Sequence, residues 1–220
     1  MSALSLEIAS VRHRYTGRDR DTPPATSFSL VPGERALLVG QSGTGKTTLL
    51  RRVVGLLWGP GKVLVGGEAV EPRSVRRLRR SIGFQWQSPD DGLVLPTPLE
   101  DVAFGPVNDG LAHPAAIDLA FCWLERLRIG HLAEAPIRRL SLGEKQLVSL
   151  AGVLARSPGI LLLDEPAAHL DAATRDRVLE VLSGAEATVF MVTHDPAAWL
   201  ARDPRWRTVE LGASRPEDPH

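Results

Sequence analysis

The chain has 220 residues, of which 43% are hydrophobic and 24% charged, and its 26 basic residues balance its 26 acidic ones. These values are ordinary for a globular protein with a sizeable core, and they exclude disordered and fibrous proteins. The longest aliphatic runs, residues 36–39 and 160–163, have four residues each, whereas a membrane-spanning helix needs about 18. The first residues show no basic stretch followed by an apolar one, so we expect no secretory signal and a cytosolic location.

Cysteine, arginine and lysine each raise a question of function. The single cysteine, Cys122, lies among apolar neighbours, so we expect a reduced, buried small side chain. An arginine cluster at 73–80 could bind the phosphates of nucleic acid, but with zero net charge we interpret it as a solvated helix face and expect no nucleic-acid partner. The only lysines are Lys46, Lys62 and Lys145, so each invites a functional explanation.

The first half of the chain predicts a small β region and a strand, loop and helix in succession. Alternating apolar side chains at Leu4, Leu6 and Ile8 indicate a half-buried strand, and Phe28 with Leu30 indicates a second. Further elements are predicted in chain order: a buried strand at 36–39, a glycine-rich loop at 40–45, a helix at 46–57, a hairpin of 62–65 and 69–70 around Gly66-Gly67, and a strand at 82–87.

The second half predicts a helical region followed by alternating strands and helices. Three prolines and a turn sequence make 88–98 irregular. An amphipathic helix begins at Pro114 and ends near Gly130, and its apolar face carries Ile117, Phe121, Leu124 and Leu127. The other predicted elements are helices at 142–156, 172–182 and 196–201 and strands at 160–163, 188–192 and 206–211. Fully apolar strands predict a parallel sheet covered on both faces, and 212–220 is a polar tail that we expect to be frayed.

A complete phosphate-binding motif follows the first buried strand. Residues 40–47 fit G-x-x-x-x-G-K-[ST] and lie between a predicted strand and a predicted helix, as the mechanism of the motif requires. Backbone N–H groups would hold an anion, Lys46 would reach the β- and γ-phosphates, and the Thr47 hydroxyl would bind Mg²⁺. The alternative, a glycine-rich turn without a ligand, is disfavoured by the placement and the complete match. The predicted nucleotide-binding residues here are Gly40, Gln41, Ser42, Gly43, Thr44, Gly45, Lys46, Thr47 and Thr48.

Two acidic residues, Asp164 and Glu165, end the buried strand predicted at 160–163. They lie at the carboxyl edge of the predicted parallel sheet, where ligands bind. Asp164 would hold Mg²⁺ through water, and Glu165 would polarise the water that attacks the γ-phosphate. The alternative is a cap for the next helix, which Pro166 disfavours. The sequence has no Asn-Lys-x-Asp pattern for reading guanine, which argues against a GTPase.

A second motif opens the helix predicted at 142–156. This motif is Leu140-Ser141-Leu142-Gly143-Glu144, and its serine lies 23 residues before Asp164. It resembles the Leu-Ser-Gly-Gly-Gln signature of ABC ATPases. Ser141 and Glu144 also fit a Ser-x-x-Glu capping box at a helix start. In this family the signature of one subunit closes over the γ-phosphate held by the other. The resemblance therefore assigns the signature residues Ser141, Leu142, Gly143 and Glu144 to a site completed in trans, with direct contacts from Ser141 and Gly143.

Four further positions resemble sites of the same family. Gln87 resembles the Q-loop glutamine, which senses Mg²⁺ and the attacking water, and His194 resembles the switch histidine that contacts the γ-phosphate. Asp171 resembles the D-loop acid and is also a credible helix cap. Tyr15 resembles the aromatic residue that stacks on adenine. Surface or packing roles are the alternatives for Gln87 and Tyr15, whereas His194 and Asp164 are predicted to end adjacent strands, which favours a functional role.

The segment 84–106 resembles one subfamily of ABC ATPases in particular. It is similar to the Q-loop region of the energy-coupling-factor and cobalt/nickel-type ATPases, in which two ATPase subunits drive a membrane scaffold and a substrate-binding membrane protein that import vitamins or transition-metal ions. The resemblance implies ATP and Mg²⁺ as ligands, a second ATPase subunit in a homo- or heterodimer, integral membrane partners, and a peripheral position on the cytoplasmic face of the cell membrane. The alternatives are an exporter subunit and a soluble, non-transport ABC ATPase.

The resemblance covers nearly the whole chain. It implies an α/β P-loop NTPase of the ABC type, with a mostly parallel sheet, an N-terminal antiparallel β region and a helical subdomain. We expect one ATPase domain over 1–220, with a nucleotide-binding core at 1–87 and 157–211 and a helical subdomain at 88–156. Four positions depart from the family pattern, namely Leu142, Glu144, Leu147 and His169. Leu142 adds bulk where a backbone approaches nucleotide, so we expect weaker closure or an asymmetric partner.

Overall fold

A computed structural model of the chain describes residues 2–17 and 19–211, and the predicted tail at 212–220 lies outside the described residues. The chain divides into two compact units. The first comprises the described residues up to 82, residues 159–164 and residues from 186 onward, and the second comprises 83–158 and 165–185. The helical subdomain predicted at 88–156 falls within the second unit, which also contains 165–185.

An antiparallel sheet occupies the N-terminal part of the first unit. Its strands are β1 (Leu6–Val11), β2 (Thr26–Leu30), β4 (Lys62–Val65) and β5 (Glu68–Ala69), in the order β2-β1-β4-β5. Leu6 and Ile8 of β1 are buried and pair with buried apolar residues of β2 on one side and β4 on the other. Alternation along β1 therefore places one face in the core, as predicted. The turn between β4 and β5 has both Gly66 and Gly67 at positive φ, 57° and 80°.

A second sheet, whose strands in the first unit pair in parallel, carries the carboxyl edge at which the predicted acids lie. Four of its strands belong to the first unit, in the order β7-β8-β3-β9: β3 (Arg35–Val39), β7 (Ile160–Asp164), β8 (Thr188–Val192) and β9 (Trp206–Glu210). Residue pairing aligns Asp164 with Val192, and Val192 with Leu38. The carboxyl ends of β7, β8 and β3 therefore lie side by side, at the edge where α/β proteins bind ligands.

The helices of the first unit are α1 (Lys46–Val53), α2 (Val75–Leu78) and α7 (Pro196–Arg202). Helix α1 ends earlier than predicted, because the chain turns at Gly55 with φ at 67°. Arg79 donates from Nε to the carbonyl of Val54 and from Nη2 to the carbonyl of Gly55, each at 2.9 Å. These bonds satisfy carbonyl groups that the helix leaves unpaired at its end. One member of the arginine cluster thus caps α1, and the cluster itself forms only the short helix α2.

The second unit consists mainly of helices. Its elements are β6 (Ile82–Gln85), which begins at the last residue of the first unit, α3 (Pro98–Asn108), α4 (His113–Arg126), α5 (Leu142–Ala155) and α6 (Ala172–Ser183), with short 3-10 helices at Pro89–Asp91, Gly130–Leu132 and Ile137–Arg139. Helices α3, α4 and α5 pack on one another. The two sheets and this helical unit confirm the predicted α/β fold class. Among the described residues, no helix is both long and apolar enough to cross a membrane.

The packing of α4 corrects two predictions. Phe121 and Cys122 are exposed, whereas we expected both side chains to be buried. The buried residues of the helix are Ala116, Ala120 and Leu124. Small side chains let neighbouring helices approach closely, so the alanines rather than the aromatic ring face α3 and α5. The prediction of a buried cysteine is therefore wrong.

Candidate active site

The phosphate loop connects β3 to α1, as the motif predicts. The φ values of Gly40, Gly43 and Gly45 are 152°, 80° and 101°. Residues other than glycine rarely adopt such values. The ammonium of Lys46 lies back over the loop and donates to the carbonyls of Gly40 and Gln41 at 2.7 and 3.0 Å. Lys46 is only 7% exposed. The loop therefore holds a buried positive charge next to its own backbone.

No side chain in the described part of the chain caps the N-terminus of α1. Its N-cap is Gly45, no side chain accepts a hydrogen bond there, and the first turn contains no acidic residue. The first N–H groups of any α-helix lack an intrahelical acceptor, and the helix dipole makes this end positive. Together with Lys46, this arrangement can bind an anionic phosphate group.

Glycine is required at position 45 by a close neighbour as well as by the φ value. A Cβ atom at this position would lie 2.4 Å from the backbone nitrogen of Pro23 and 2.8 Å from its Cα. Real Cβ atoms do not approach other heavy atoms so closely, and a backbone neighbour cannot rotate away. The segment around Pro23 therefore braces the loop where α1 begins, and only glycine fits there.

Asp164 and His194 lie at the same sheet edge as the loop. Asp164 is the last residue of β7 and is 1% exposed, while His194 follows the end of β8 by two residues and is exposed. Thr47, in the first turn of α1, belongs to the same unit. A hydroxyl and a carboxylate are oxygen donors of the type that Mg²⁺ prefers, so this part of the predicted metal site fits the ion.

Tyr15 is held against the start of α1. Its hydroxyl lies 2.9 Å from Oγ1 of Thr48, and its ring packs edge-on against His13 with 4.6 Å between the ring centres. The side chain remains partly exposed. This position beside the phosphate loop is compatible with the predicted contact to adenine.

In the second unit, the signature segment forms the capped start of α5. The Ser141 N–H and the Ser141 hydroxyl both donate to Oε2 of Glu144, at 2.7 and 2.8 Å, and the Glu144 N–H donates to the hydroxyl at 3.3 Å. These bonds to Ser141 lower the pKa of Glu144, so its carboxylate is ionised at neutral pH. Leu142 is 41% exposed beside the cap. The predicted capping box is thus present, with an exposed leucine next to it.

The D-loop packs against the signature within the same unit. A Cβ atom on Gly143 would lie 3.2 Å from the carbonyl oxygen of His169, so this glycine permits a close approach of the two segments. Asp171 caps α6, because its Oδ1 accepts the backbone N–H of Thr174 at 2.9 Å. That bond and the one from the Thr174 hydroxyl lower the pKa of Asp171. Glu165, half-buried, precedes this loop with φ at 56°.

Gln87 lies two residues beyond β6 and is exposed, so the strand is shorter than predicted. The 3-10 helix that follows is tied to the signature helix, because Lys145 donates from Nζ to Oδ1 of Asp90 at 2.6 Å. This bond gives one of the three lysines a partner that its position in the sequence does not reveal.

Comparison with known proteins gives a consistent family. The model of the ABC transporter family matches residues 25–168. A relative named as an ABC transporter ATP-binding protein in Brucella suis biovar 1 is 44% identical over 87% of this chain and 79% of its own length. A protein of the same description in Streptomyces avermitilis is 39% identical over 93% of this chain and 78% of its own length.

Solved structures agree with this family. CbiO1 from Clostridium perfringens, part of the ABC transporter complex CbiONQ, has a TM-score of 0.73 and 30% identity, covering 86% of this chain and 78% of CbiO1. The fold also matches the ATP-binding cassette MJ0796, in a dimeric post-hydrolysis state with ADP and Pi, with a TM-score of 0.84 and 22% identity over 98% of this chain and 100% of that one. The chain therefore belongs to the ABC transporter family, as an ATP-binding ABC ATPase subunit.

Proposed function

We propose that the chain hydrolyses ATP to drive the import of a vitamin or a transition-metal ion. It would act as one of two ATPase subunits beneath a membrane scaffold, at the cytoplasmic face of the membrane. Two observations support this importer type: the segment 84–106 resembles the energy-coupling-factor and cobalt/nickel-type ATPases, and CbiO1, which belongs to a CbiONQ complex, is 30% identical.

The proposed chemistry begins with the phosphates of ATP at the N-terminus of α1. The loop amides and Lys46 bind the β- and γ-phosphates, and Tyr15 contacts the adenine. The resemblance assigns Mg²⁺ to Thr47, Asp164 and Gln87, which would hold the ion, and when bound it would neutralise charge on the phosphate oxygens.

Hydrolysis requires a water molecule aligned with the γ-phosphorus. Glu165 follows Asp164 directly in the chain, and its carboxylate accepts a hydrogen bond from this water and orients it. The water oxygen bonds to the γ-phosphorus and gives up a proton to the carboxylate of Glu165 as the bond to the β–γ bridging oxygen breaks, which gives ADP and inorganic phosphate. His194 contacts the γ-phosphate, and Lys46 stabilises the negative charge of the transition state.

The role of Glu165 is tested by replacing it with glutamine. Glu165→Gln should bind ATP normally and lose turnover by about 100-fold or more, because an amide is a much weaker base than a carboxylate. Glu180→Gln makes the same change on the exposed side of α6 and serves as the control. Steady-state hydrolysis by Glu165→Gln within a few-fold of the unaltered chain would remove Glu165 from the mechanism.

The proposed site is completed by the signature of a second subunit. A Lys46→Ala subunit mixed with a Ser141→Arg subunit gives mixed dimers with one intact pairing of Lys46 and Ser141. Their hydrolysis should exceed that of either variant alone. Affinity tags of two kinds show that mixed dimers form, and no gain in activity in such dimers would argue against assembly in trans.

The segment 88–98 is the proposed contact with the membrane subunits. Leu93 and Leu95 are half-buried, and Val94 between them is 66% exposed. Oδ2 of Asp101 accepts the N–H groups of Val94 and Leu95 at 2.7 and 2.8 Å, which fixes the backbone that presents Val94. Burial raises the pKa of Asp101, and these two bonds partly offset the shift. Within this segment, Val94 is therefore the apolar residue most accessible to a partner.

Co-purification tests the transporter type and this contact together. Membranes of the native host should yield the tagged chain with a scaffold protein and a small substrate-binding membrane protein, identified by mass spectrometry. Val94→Asp should abolish that association while the chain still binds ATP. Phe121→Asp, an equally apolar exposed position on α4, is the control. Recovery of exporter-type membrane domains, or of no membrane protein at all, would overturn the importer proposal.

A further inference from the structure

Two glutamine side chains are buried in the second unit, far from each other in sequence. Gln85 on β6 and Gln146 on α5 are each 0% exposed. Gln85 donates from Nε2 to the carbonyl oxygen of Gln146 at 3.0 Å, and Gln146 donates from Nε2 to the carbonyl oxygen of Glu165 at 3.1 Å. Two consecutive amide hydrogen bonds therefore join β6, the signature helix and the backbone of Glu165.

The backbone of Glu165 needs such support. Its φ of 56° is left-handed, a conformation that costs a residue with a Cβ atom about 1–2 kcal/mol. Its carbonyl oxygen also accepts the N–H of Ala168 at 3.1 Å. Two donors on one oxygen fix the plane of the peptide that follows Glu165. Because a side chain leaves the backbone in a direction set by that backbone, these bonds help to fix the direction in which the Cα–Cβ bond of Glu165 points.

Within the described chain, the two amides use their donor atoms and not their acceptor atoms. The Oε1 atoms of Gln85 and Gln146 are buried and accept no hydrogen bond from any residue that the structure describes. The donor halves of the two amides are used, and both bonds lead toward Glu165.

We propose that Gln146 is a positioning residue for Glu165 and that Gln85 supports Gln146. The inference rests on the proposed role of Glu165 in hydrolysis. Gln146 contacts the backbone of Glu165, while the phosphate loop belongs to the first unit. Loss of the Gln146 donor should therefore slow turnover and leave ATP affinity unchanged.

The first experiment compares two isosteric substitutions in the full chain. Gln146→Met should lower kcat for ATP hydrolysis about tenfold with KM for ATP almost unchanged, because a small misplacement of a reacting group is costly. Gln85→Met leaves the bond from Gln146 to Glu165 in place and should lower kcat only about two- to threefold. Both replace a buried amide by a thioether of similar length, so thermal unfolding of each controls for stability. Equal losses of kcat in the two variants, or losses that follow the loss of stability, would overturn the proposal.

A second comparison separates this inference from the role of Glu165. If Gln146 acts through Glu165, the double variant Gln146→Met/Glu165→Gln should hydrolyse ATP as slowly as Glu165→Gln alone, measured in single turnovers. A further tenfold loss in the double variant would overturn the proposal. Near-normal turnover in Glu165→Gln would instead refute the proposed function.

A third variant covers the case in which Gln146→Met does not fold. Gln146→Leu has a side chain of similar volume and no hydrogen-bond donor, so it should lower kcat as well. Unchanged kcat in whichever of the two variants folds, together with slow turnover in Glu165→Gln, would overturn the positioning role alone.

Discussion

Helices α1 and α5 both begin in segments predicted to contact phosphate, and their N-termini are built in opposite ways. Helix α1 has a glycine N-cap, no side-chain cap and no acid in its first turn. Helix α5 has a serine N-cap, a complete capping box and Glu144 in its first turn. The first helix leaves its N–H groups to a ligand, whereas the second neutralises them with its own carboxylate.

This difference shows why a helix start is not by itself an anion site. The positive end of α5 is occupied by an ionised side chain, since the pKa of Glu144 is lowered by its bonds to Ser141. In the proposed dimer, a γ-phosphate that approaches Ser141 from a partner subunit would meet that negative charge and the exposed side chain of Leu142. The α1 site should therefore bind nucleotide strongly, and the α5 site should close weakly.

The largest expected effect is a loss of ATP affinity when a side chain is added at the start of α1. Gly45→Ala should reduce ATP affinity by more than about 100-fold, because the new Cβ atom collides with the backbone of Pro23 and the φ value disfavours it. Gly67→Ala is the control, since its φ is 80° and no atom lies within 4 Å of the added Cβ. It should cost about 1 kcal/mol of unfolding free energy and leave ATP binding intact. Fluorescent nucleotide titration measures both affinities, and similar losses in the two variants would contradict the bracing role of Pro23.

A smaller effect is expected from removing bulk at the α5 site. Leu142→Gly should strengthen ATP-driven dimerisation about tenfold, if the leucine crowds the approaching partner by an amount typical of overpacked contacts. Leu142→Ala should give an intermediate gain, because it keeps only the Cβ atom. Analytical ultracentrifugation with ATP measures the dimer fraction, and each variant also carries Glu165→Gln so that ATP is not hydrolysed during the run. A fall in dimerisation by a folded Leu142→Gly chain would identify Leu142 as a contact residue instead.

Removing the charge at α5 should have a weaker effect than removing the bulk. Glu144→Gln keeps the shape of the cap and should strengthen ATP-driven dimerisation about two- to fivefold, the range expected for one charge near a helix end. Glu134→Gln, an exposed acid of the same unit outside the signature, serves as the control. Unchanged ATP-driven dimerisation in Glu144→Gln would mean that the carboxylate does not face the incoming phosphate.

The smallest effect concerns the pH dependence of the cap. Because the pKa of Glu144 is lower in the folded chain, its contribution to the free energy of unfolding is present above the ordinary pKa of about 4.3 and is lost as pH falls through the lowered value. The difference in stability between the unaltered chain and Glu144→Gln should therefore narrow as pH falls from 5 toward 3. Urea unfolding at these pH values measures it, and a difference that stays constant would show that Glu144 is not the titrating group.

The same comparison shows what could be predicted from the sequence. The phosphate loop was predicted residue by residue, because each role in it depends on neighbours in the chain. The capping box of α5 was equally local. The bonds from Gln85 to Gln146 and from Gln146 to Glu165 join residues 61 and 19 positions apart, so only the fold brings them together. Their one sequence signal is an amide on the buried face of an otherwise apolar element.

The errors at α4 have a related physical cause. Assigning Phe121 to the core followed its helical spacing from Ile117 and Leu124, but helix packing buries Ala116 and Ala120 instead. Likewise α1 was predicted to reach residue 57, but it ends at Val53, and Gly55 beyond it has a φ of 67°. Side-chain hydrophobicity predicts that a helix exists, whereas the shape of its neighbours decides which face is buried and where it ends.

The exposed position of Cys122 makes the chain easy to label. The sequence contains one cysteine, and it lies on the surface of α4, so a maleimide dye reacts at one known place without any substitution. Mixing donor-labelled and acceptor-labelled batches of the chain then reports whether two copies come together when ATP is added. Energy transfer in such a mixture identifies pairing between identical chains. An ATPase that pairs with a different subunit would transfer energy only when that subunit carries the second dye.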